Sequence, residues 1–279
     1  MIGPSGSSAE FGWSTSMEAP GEPDGRHRKV SPVSSVLKAT RILHSFNAVA
    51  PCQSLRQIAT RTGIPRTTVH GLCVALVQAE MLELVPGRGY RLGPAFIGLG
   101  GQVIERVGLL DAAKDVGKRF VRFDQVEAHL AQLVGGWIVY LDRTSSLWRL
   151  PTDVHMGSRV LAHTTDCGRA ALAALAPEEA WRRIAVACEA ECQPAPDRQA
   201  LEADLAEVKR RGFATVPAQR SGRASVGAAI TNRAAVPVGG VSISAPVDAL
   251  RRRDVFDELV KDLLLVATTI GRRLPHLTE

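Results

Sequence analysis

Five side chains in the first third of the chain have the types and spacing to bind a polyanion. Arg66, Thr67, Thr68 and His70 lie together in GIPRTTVHGL, and Arg88 stands in the nearby PGRGYRLG. A guanidinium can bond a guanine edge or a phosphate, and hydroxyl and imidazole groups can bond either. The residue types leave both targets open. Further along, His163, Asp166 and Cys167 with several serines form a second polar grouping. No GxSxG, phosphate loop, metal-binding helix or Cys–His signature surrounds it, so it reads as pocket lining or helix caps and the chain as no enzyme.

The first grouping needs two helices to present it. In LRQIATRTGIPRTTVHGL, Ile58, Ala59, Gly63, Val69 and Leu72 fall where two helices crossing at a steep angle must touch. Ala59 allows close approach, Gly63 supplies the positive φ that ends the first helix, and Pro65 presets φ in the first turn of the second. Burying Val69, Leu72 and Leu76 leaves Arg66, Thr67, His70 and Gly71 outward on the half of the helix that would enter a major groove. MLELVPGRGYRLG then reads as strand, turn and strand, with Arg88 at the tip. Between Ser31 and Gly93 there are seven basic and two acidic residues, a net +5 out of +6 for the whole chain. Helix pair, wing and charge together point to double-stranded DNA.

The chain has 279 residues, enough for two domains, and its 45% hydrophobic content excludes global disorder. No apolar run approaches the roughly 18 to 20 residues of a membrane helix, so no membrane partner is expected, and the lack of a cysteine framework suits a reducing cytoplasm. Residues 1–30, rich in Gly, Ser and Pro, read as a disordered arm, and Arg26, His27, Arg28 and Lys29 near its end form either a DNA-touching arm or a solvated tail. The five scattered cysteines give no disulfide framework. Cys188 and Cys192 lack a second pair or a nearby His at zinc spacing, so no metal and no cofactor is expected.

A first helix is expected from Val33 to Phe46, with Val36, Leu37, Ile42, Leu43 and Phe46 as its apolar stripe. After a winged helix-turn-helix over 31–93, residues 94–108 read as a linker helix carrying Phe96, Leu99, Val103 and Ile104. Its apolar side is either a dimer seam or packs on its own domain. Residues 109–279 form the larger domain. A helix is expected there from Leu109 to Phe123, then a hairpin through Gly135-Gly136. Further helices are expected over Asp166–Ala176, Pro177–Ala187 and Asp197–Arg211, then two strands, ASVGAAIT and AVPVGGVSIS, and a last helix from Val247 to about Leu274. The fold class is α+β, with an antiparallel sheet flanked by helices.

GIPRTTVHGL, YRLGP, VYLDR, HTTDCGRAAL, VKRRGFA and VSISAP together resemble the IclR-type bacterial transcription regulators, over nearly all of Ser31 to Leu274. The resemblance implies a winged helix-turn-helix joined through a helix to a GAF/PAS-like α+β ligand-sensing domain. It further implies a homodimer or dimer of dimers on a palindromic operator, repressing or activating according to a small organic effector, with repression expected here. On this sequence it places Arg66, Thr67, Thr68, His70 and Arg88 on DNA. It places the effector at His163, Thr165, Asp166, Cys167, Gly168, Ser225, Ser242 and Ser244. A helix start and two serines on one strand face would together hold a carboxylate.

Three departures qualify that picture. Gly71 stands where many relatives carry a basic residue, which leaves open a protein-interaction module with degenerate DNA reading. Asp166 replaces a small residue, and it either caps the helix or points inward; in the second case it favours a neutral, hydroxyl-bearing or cationic effector. Val216 to Gln219 replaces an acidic pair.

Overall fold

The computed structural model describes residues 33–47, 49–115, 117–145, 155–217 and 222–274. The expected arm over residues 1–30 lies outside them, as do Ala218 and Gln219.

The N-terminal part packs α1 (Ser34–His44), α2 (Leu55–Thr62) and α3 (Arg66–Gln78) against a three-stranded sheet of β1 (Cys52–Gln53), β2 (Leu82–Val85) and β3 (Gly89–Leu92), in the order β1-β3-β2. α2 begins with a capping box: the Ser54 hydroxyl accepts from the Gln57 N–H at 3.3 Å, and the Gln57 amide oxygen accepts from the Ser54 N–H at 2.8 Å. It ends where the sequence places its stop, at Gly63 with φ 66°. Pro65 is the residue before α3, not its first turn. Ile42, Phe46, Ile58, Ile64, Val69, Cys73, Leu76, Leu82 and Tyr90 make one core. Leu72 is only partly buried, and Cys73 takes the central place on that face. Val36 and Leu37, expected in the α1 stripe, are exposed, because α1 meets the core through its C-terminal half.

α4 (Ala95–Ile104) follows the wing and buries none of its residues. The single helix expected over 109–123 is interrupted: α5 (Gly108–Ala113) stops, Asp115 takes φ 66°, and a 3₁₀ turn covers Gly117–Arg122. The larger part is built on a six-stranded antiparallel sheet in the order β6-β5-β4-β9-β8-β7. Its strands are β4 (Glu127–Val134), β5 (Trp137–Ser145), β6 (Arg159–Leu161), β7 (Ala214–Val216), β8 (Arg223–Thr231) and β9 (Pro237–Pro246). The hairpin and the two long late strands were legible in the sequence, whereas β1, β6 and β7, each of three residues or fewer, were not.

Helices cover both faces of this sheet. Leu130, Ile230 and Ile243 pack against Leu259, Leu263 and Ile270 of α10 (Arg253–Arg273). The opposite face packs on α6 (Asp166–Ala173), α7 (Pro177–Ala190) and α8 (Arg198–Arg211). The expected last helix is divided at Arg252, which is extended, into α9 (Val247–Arg251) and α10. Arg119 and Arg122 of the 3₁₀ turn bind the buried Asp262 of α10, fastening the turn to the helix layer.

Candidate nucleic-acid interface and ligand site

α3 presents Arg66, Thr67, His70 and Gly71 to solvent, while Thr68 is half-buried. No side chain caps the start of α3 and no acidic residue stands in its first turn, so its first N–H groups and their partial positive charge face outward beside Arg66. In the wing, Gly87 takes φ 71° and the Arg88 N–H donates to the Val85 carbonyl at 3.0 Å, which fixes the tip and leaves the Arg88 side chain exposed. Arg66, His70 and Arg88 form no ion pair among the described residues. By contrast Arg91 is bound to Glu83 across the wing at 2.8 Å, and Arg41 and Arg61 donate to the carbonyls of Thr62 and Ser45. The net basic charge read from the sequence is thus divided between stapling the small domain and facing outward. Gly71 has open space around its Cβ position, so packing does not require a glycine there.

The second site begins at α6. Thr165, not Asp166, is its cap: the Thr165 hydroxyl accepts from the Gly168 N–H at 3.1 Å. Asp166 is the first residue of the helix, only 3% exposed, with Oδ1 accepting from the Cys167 N–H at 2.6 Å. Its Oδ2 is buried without a hydrogen-bond partner, although the Ser225 hydroxyl lies beside it. Burial pushes the Asp166 carboxyl up from its ordinary value, outweighing Ser225, the Cys167 N–H and the nearby His129. Of the two readings left open by the sequence, Asp166 points inward.

α6 sits very close to the sheet. A Cβ on Gly227 would overlap the backbone of Asp166 and Cys167, and one on Gly240 would meet Cys167. Gly168 likewise makes room for the Ala162 carbonyl, so packing requires a glycine there. Ser225, Ser242 and Ser244 share the α6 face with two residues that the sequence reading missed. His129 is the register partner of Ser242, and Glu127 that of Ser244. His129 is 4% exposed, stands edge-on to Tyr140 with ring centroids 5.8 Å apart, and has Nε2 3.5 Å from Glu127 Oε2 but in no hydrogen bond. Glu127 receives Arg143 Nη1 at 3.1 Å. The buried Tyr140 hydroxyl is pushed up by burial and then by Cys167 and Asp166. Burial and then Asp166 push the Cys167 thiol up beside the Thr165 and Ser242 hydroxyls.

Arg223 also belongs to this site. It donates to the Ser244 hydroxyl at 3.1 Å, to the Ser244 carbonyl at 2.7 Å and to the Gln125 carbonyl at 2.8 Å. His163 lies in a separate 3₁₀ turn, Ala162–Thr164, with Nδ1 buried without a hydrogen bond and its imidazole pushed down from the ordinary value by burial. No hydrogen bond links it to the cluster among the described residues. At the helix start expected to hold a carboxylate, Asp166 and Thr165 take the N–H groups of Cys167 and Gly168, and Arg223 bonds Ser244. Among the described residues no three metal-ligating side chains gather, and no helix is long and apolar enough to cross a membrane.

A winged helix-turn-helix followed by an α+β body with a buried polar cluster defines a class of two-part DNA-binding sensors. Residues 35–86 match the family described as "IclR helix-turn-helix domain", and residues 101–272 match "Bacterial transcriptional regulator IclR C-terminal". The chain belongs to the IclR family of bacterial transcriptional regulators. It is 30% identical over 190 residues to the HTH-type transcriptional regulator TtgV of Pseudomonas putida, covering 67% of this chain and 72% of the relative. It is 25% identical to the regulator BhcR of Paracoccus denitrificans, over 79% and 80% of the two chains. An IclR family regulator from Brucella abortus shares the fold with a TM-score of 0.69 at 20% identity, covering 91% of this chain and 97% of that one. An IclR homologue from Microbacterium hydrocarbonoxydans, solved with 4-hydroxybenzoate, has a TM-score of 0.66 at 21% identity, over 86% and 98%.

Proposed function

We propose that this regulator represses transcription by binding a palindromic operator as a homodimer or dimer of dimers, and that a small organic effector bound at the α6 cluster modulates it. The observation that carries the DNA assignment is the outward, unpaired set of Arg66, His70 and Arg88 around the uncapped start of α3. Arg66, Thr67, Thr68 and His70 read or clamp the major groove, and Arg88 grips phosphate or the minor groove. The effector assignment rests on the buried, incompletely bonded polar groups around Asp166, since interior polar atoms without partners are uncommon in a packed domain.

The domains are residues 31–93 for DNA, 94–108 for the linker and 109–279 for sensing and oligomerisation. A second copy is the partner of choice for the exposed Ile97, Leu99, Val103 and Ile104 of α4. These residues continue a groove of about 910 Å³ lined by Leu82, Leu84, Leu92 and Phe96. A regulator of chromosomal DNA works in the cytoplasm. Effector binding shifts α6 against the sheet whose other face carries α5 and α10. A coupling of about 1–3 kcal/mol would change operator affinity roughly 5- to 150-fold.

Operator titrations of two variants test the DNA assignment. Arg66→Ala costs about 1–3 kcal/mol and relaxes specificity at one position, while Arg88→Ala weakens specific and random DNA alike. Equal, small effects of both on the two DNAs would remove Arg66 from the reading role.

A further inference from the structure

The α6 cluster has an unusual charge inventory, and it bears on what the cluster accepts. Its two arginines are already engaged: Arg143 on Glu127, and Arg223 on Ser244 and the Gln125 carbonyl. The helix-start N–H groups of Cys167 and Gly168 are taken by Asp166 Oδ1 and the Thr165 hydroxyl. Against these filled donors stand a carboxyl oxygen, Asp166 Oδ2, and an imidazole nitrogen, His129 Nε2. Both belong to side chains more than nine-tenths buried; no hydrogen bond satisfies Asp166 Oδ2, although the Ser225 hydroxyl lies beside it, and His129 Nε2 faces Glu127 Oε2 at 3.5 Å without a hydrogen bond. An entering carboxylate would have to draw Arg143 from Glu127 or Arg223 from the Ser244 and Gln125 oxygens, and would meet a buried carboxyl group. A group with a proton to donate would complete it.

We propose that the effector is a small molecule presenting a hydroxyl or amine donor and no carboxylate, and that Asp166 is the residue that selects it. This rests on the reading of the α6 cluster as the effector site. The donor is received by Asp166 Oδ2, with Ser225 beside it, and an amine forms an ion pair there with the ionised carboxylate. The selection lies in an asymmetry: Asp166 Oδ2 accepts from a donor in either protonation state of the carboxyl, whereas a carboxylate gains a bond there only from the protonated form.

The test is calorimetric titration of the full chain with matched alcohol, amine and carboxylate triplets built on short aliphatic and single-ring aromatic skeletons. Wild type, Asp166→Asn and Asp166→Ser are compared, with thermal unfolding to verify that each is folded. Wild type is expected to bind the best alcohol or amine on the order of tenfold or more tighter than its matched carboxylate. Asp166→Ser should remove or reverse that ratio. Asp166→Asn, which keeps the side-chain volume, should weaken the amine more than the alcohol. Equal or tighter carboxylate binding by wild type, ratios unchanged in the variants, or no binding by any member would each overturn the assignment. Operator affinity at saturating ligand separates the two claims. Donor selectivity without any change in operator affinity defeats the effector reading alone, whereas a carboxylate that shifts operator affinity defeats the donor assignment alone.

Discussion

Asp166 is costly where it stands. A buried carboxyl with one oxygen unpartnered forgoes about 1–3 kcal/mol relative to a satisfied group, and the fold retains it within a cluster that includes His129, Tyr140, Cys167 and Ser225. Its cost has a pH signature. The folded carboxyl keeps its proton above the ordinary value of 3.8, so between that value and the raised one the folded state binds more protons than the unfolded chain. This contribution to stability is therefore greatest in acid and falls as pH rises through that window. Denaturant unfolding of wild type and Asp166→Asn across that range should show the difference in stability moving against wild type as pH rises. A difference independent of pH would mean that Asp166 is not held protonated by the fold.

Among the elements, the wing depends on a close backbone approach. Gly89 takes φ 109°, and a Cβ there would overlap the Gln53 carbonyl, where β1 pairs with β3. Gly89→Ala should separate β1 from β3, destabilise the N-terminal domain by about 1–3 kcal/mol and weaken DNA binding, while ligand binding at α6 stays unchanged. Unaltered operator affinity would show that wing geometry is not needed for binding. The α2–α3 turn was legible because its chemistry is local: Gly63 ends one helix and Pro65 precedes the next. β1 was not, since two residues carry no period and pair only through β3. The same limit hid half of the candidate ligand site. Glu127 and His129 alternate with Ala128 and Leu130, a pattern that also fits solvent-facing positions, and only the helices on both sheet faces turn that side into an interior. Ser242 and Ser244, their register partners, came from family resemblance. The failed single helices at 109–123 and 247–274 share a cause, because apolar spacing continued through Asp115 and Arg252, whose backbones leave the helix.

At the scale of the whole molecule, the account requires the sensing and DNA-reading parts to communicate. α5 follows α4 and joins the α10 side of the sheet, while the buried polar cluster occupies the α6 side, so both bear on the same strands. A second approach lies at the end of α1, where the His44 imidazole is held down by burial and then by Arg159, against the opposing pull of Glu191. Arg159 and Glu191 are themselves paired at 2.8 Å, with the Arg159 guanidinium over the Trp137 ring. The exposed apolar row on α4 is where a second chain would set the spacing of two recognition helices. The most direct test of this account is a titration of the purified full chain against DNA from immediately upstream of its own gene, with random DNA as control and salt varied, followed by footprinting. Tight, salt-sensitive binding that protects a two-fold symmetric site is the predicted result. Binding there no tighter than to random DNA, with no protected symmetric site, would contradict it.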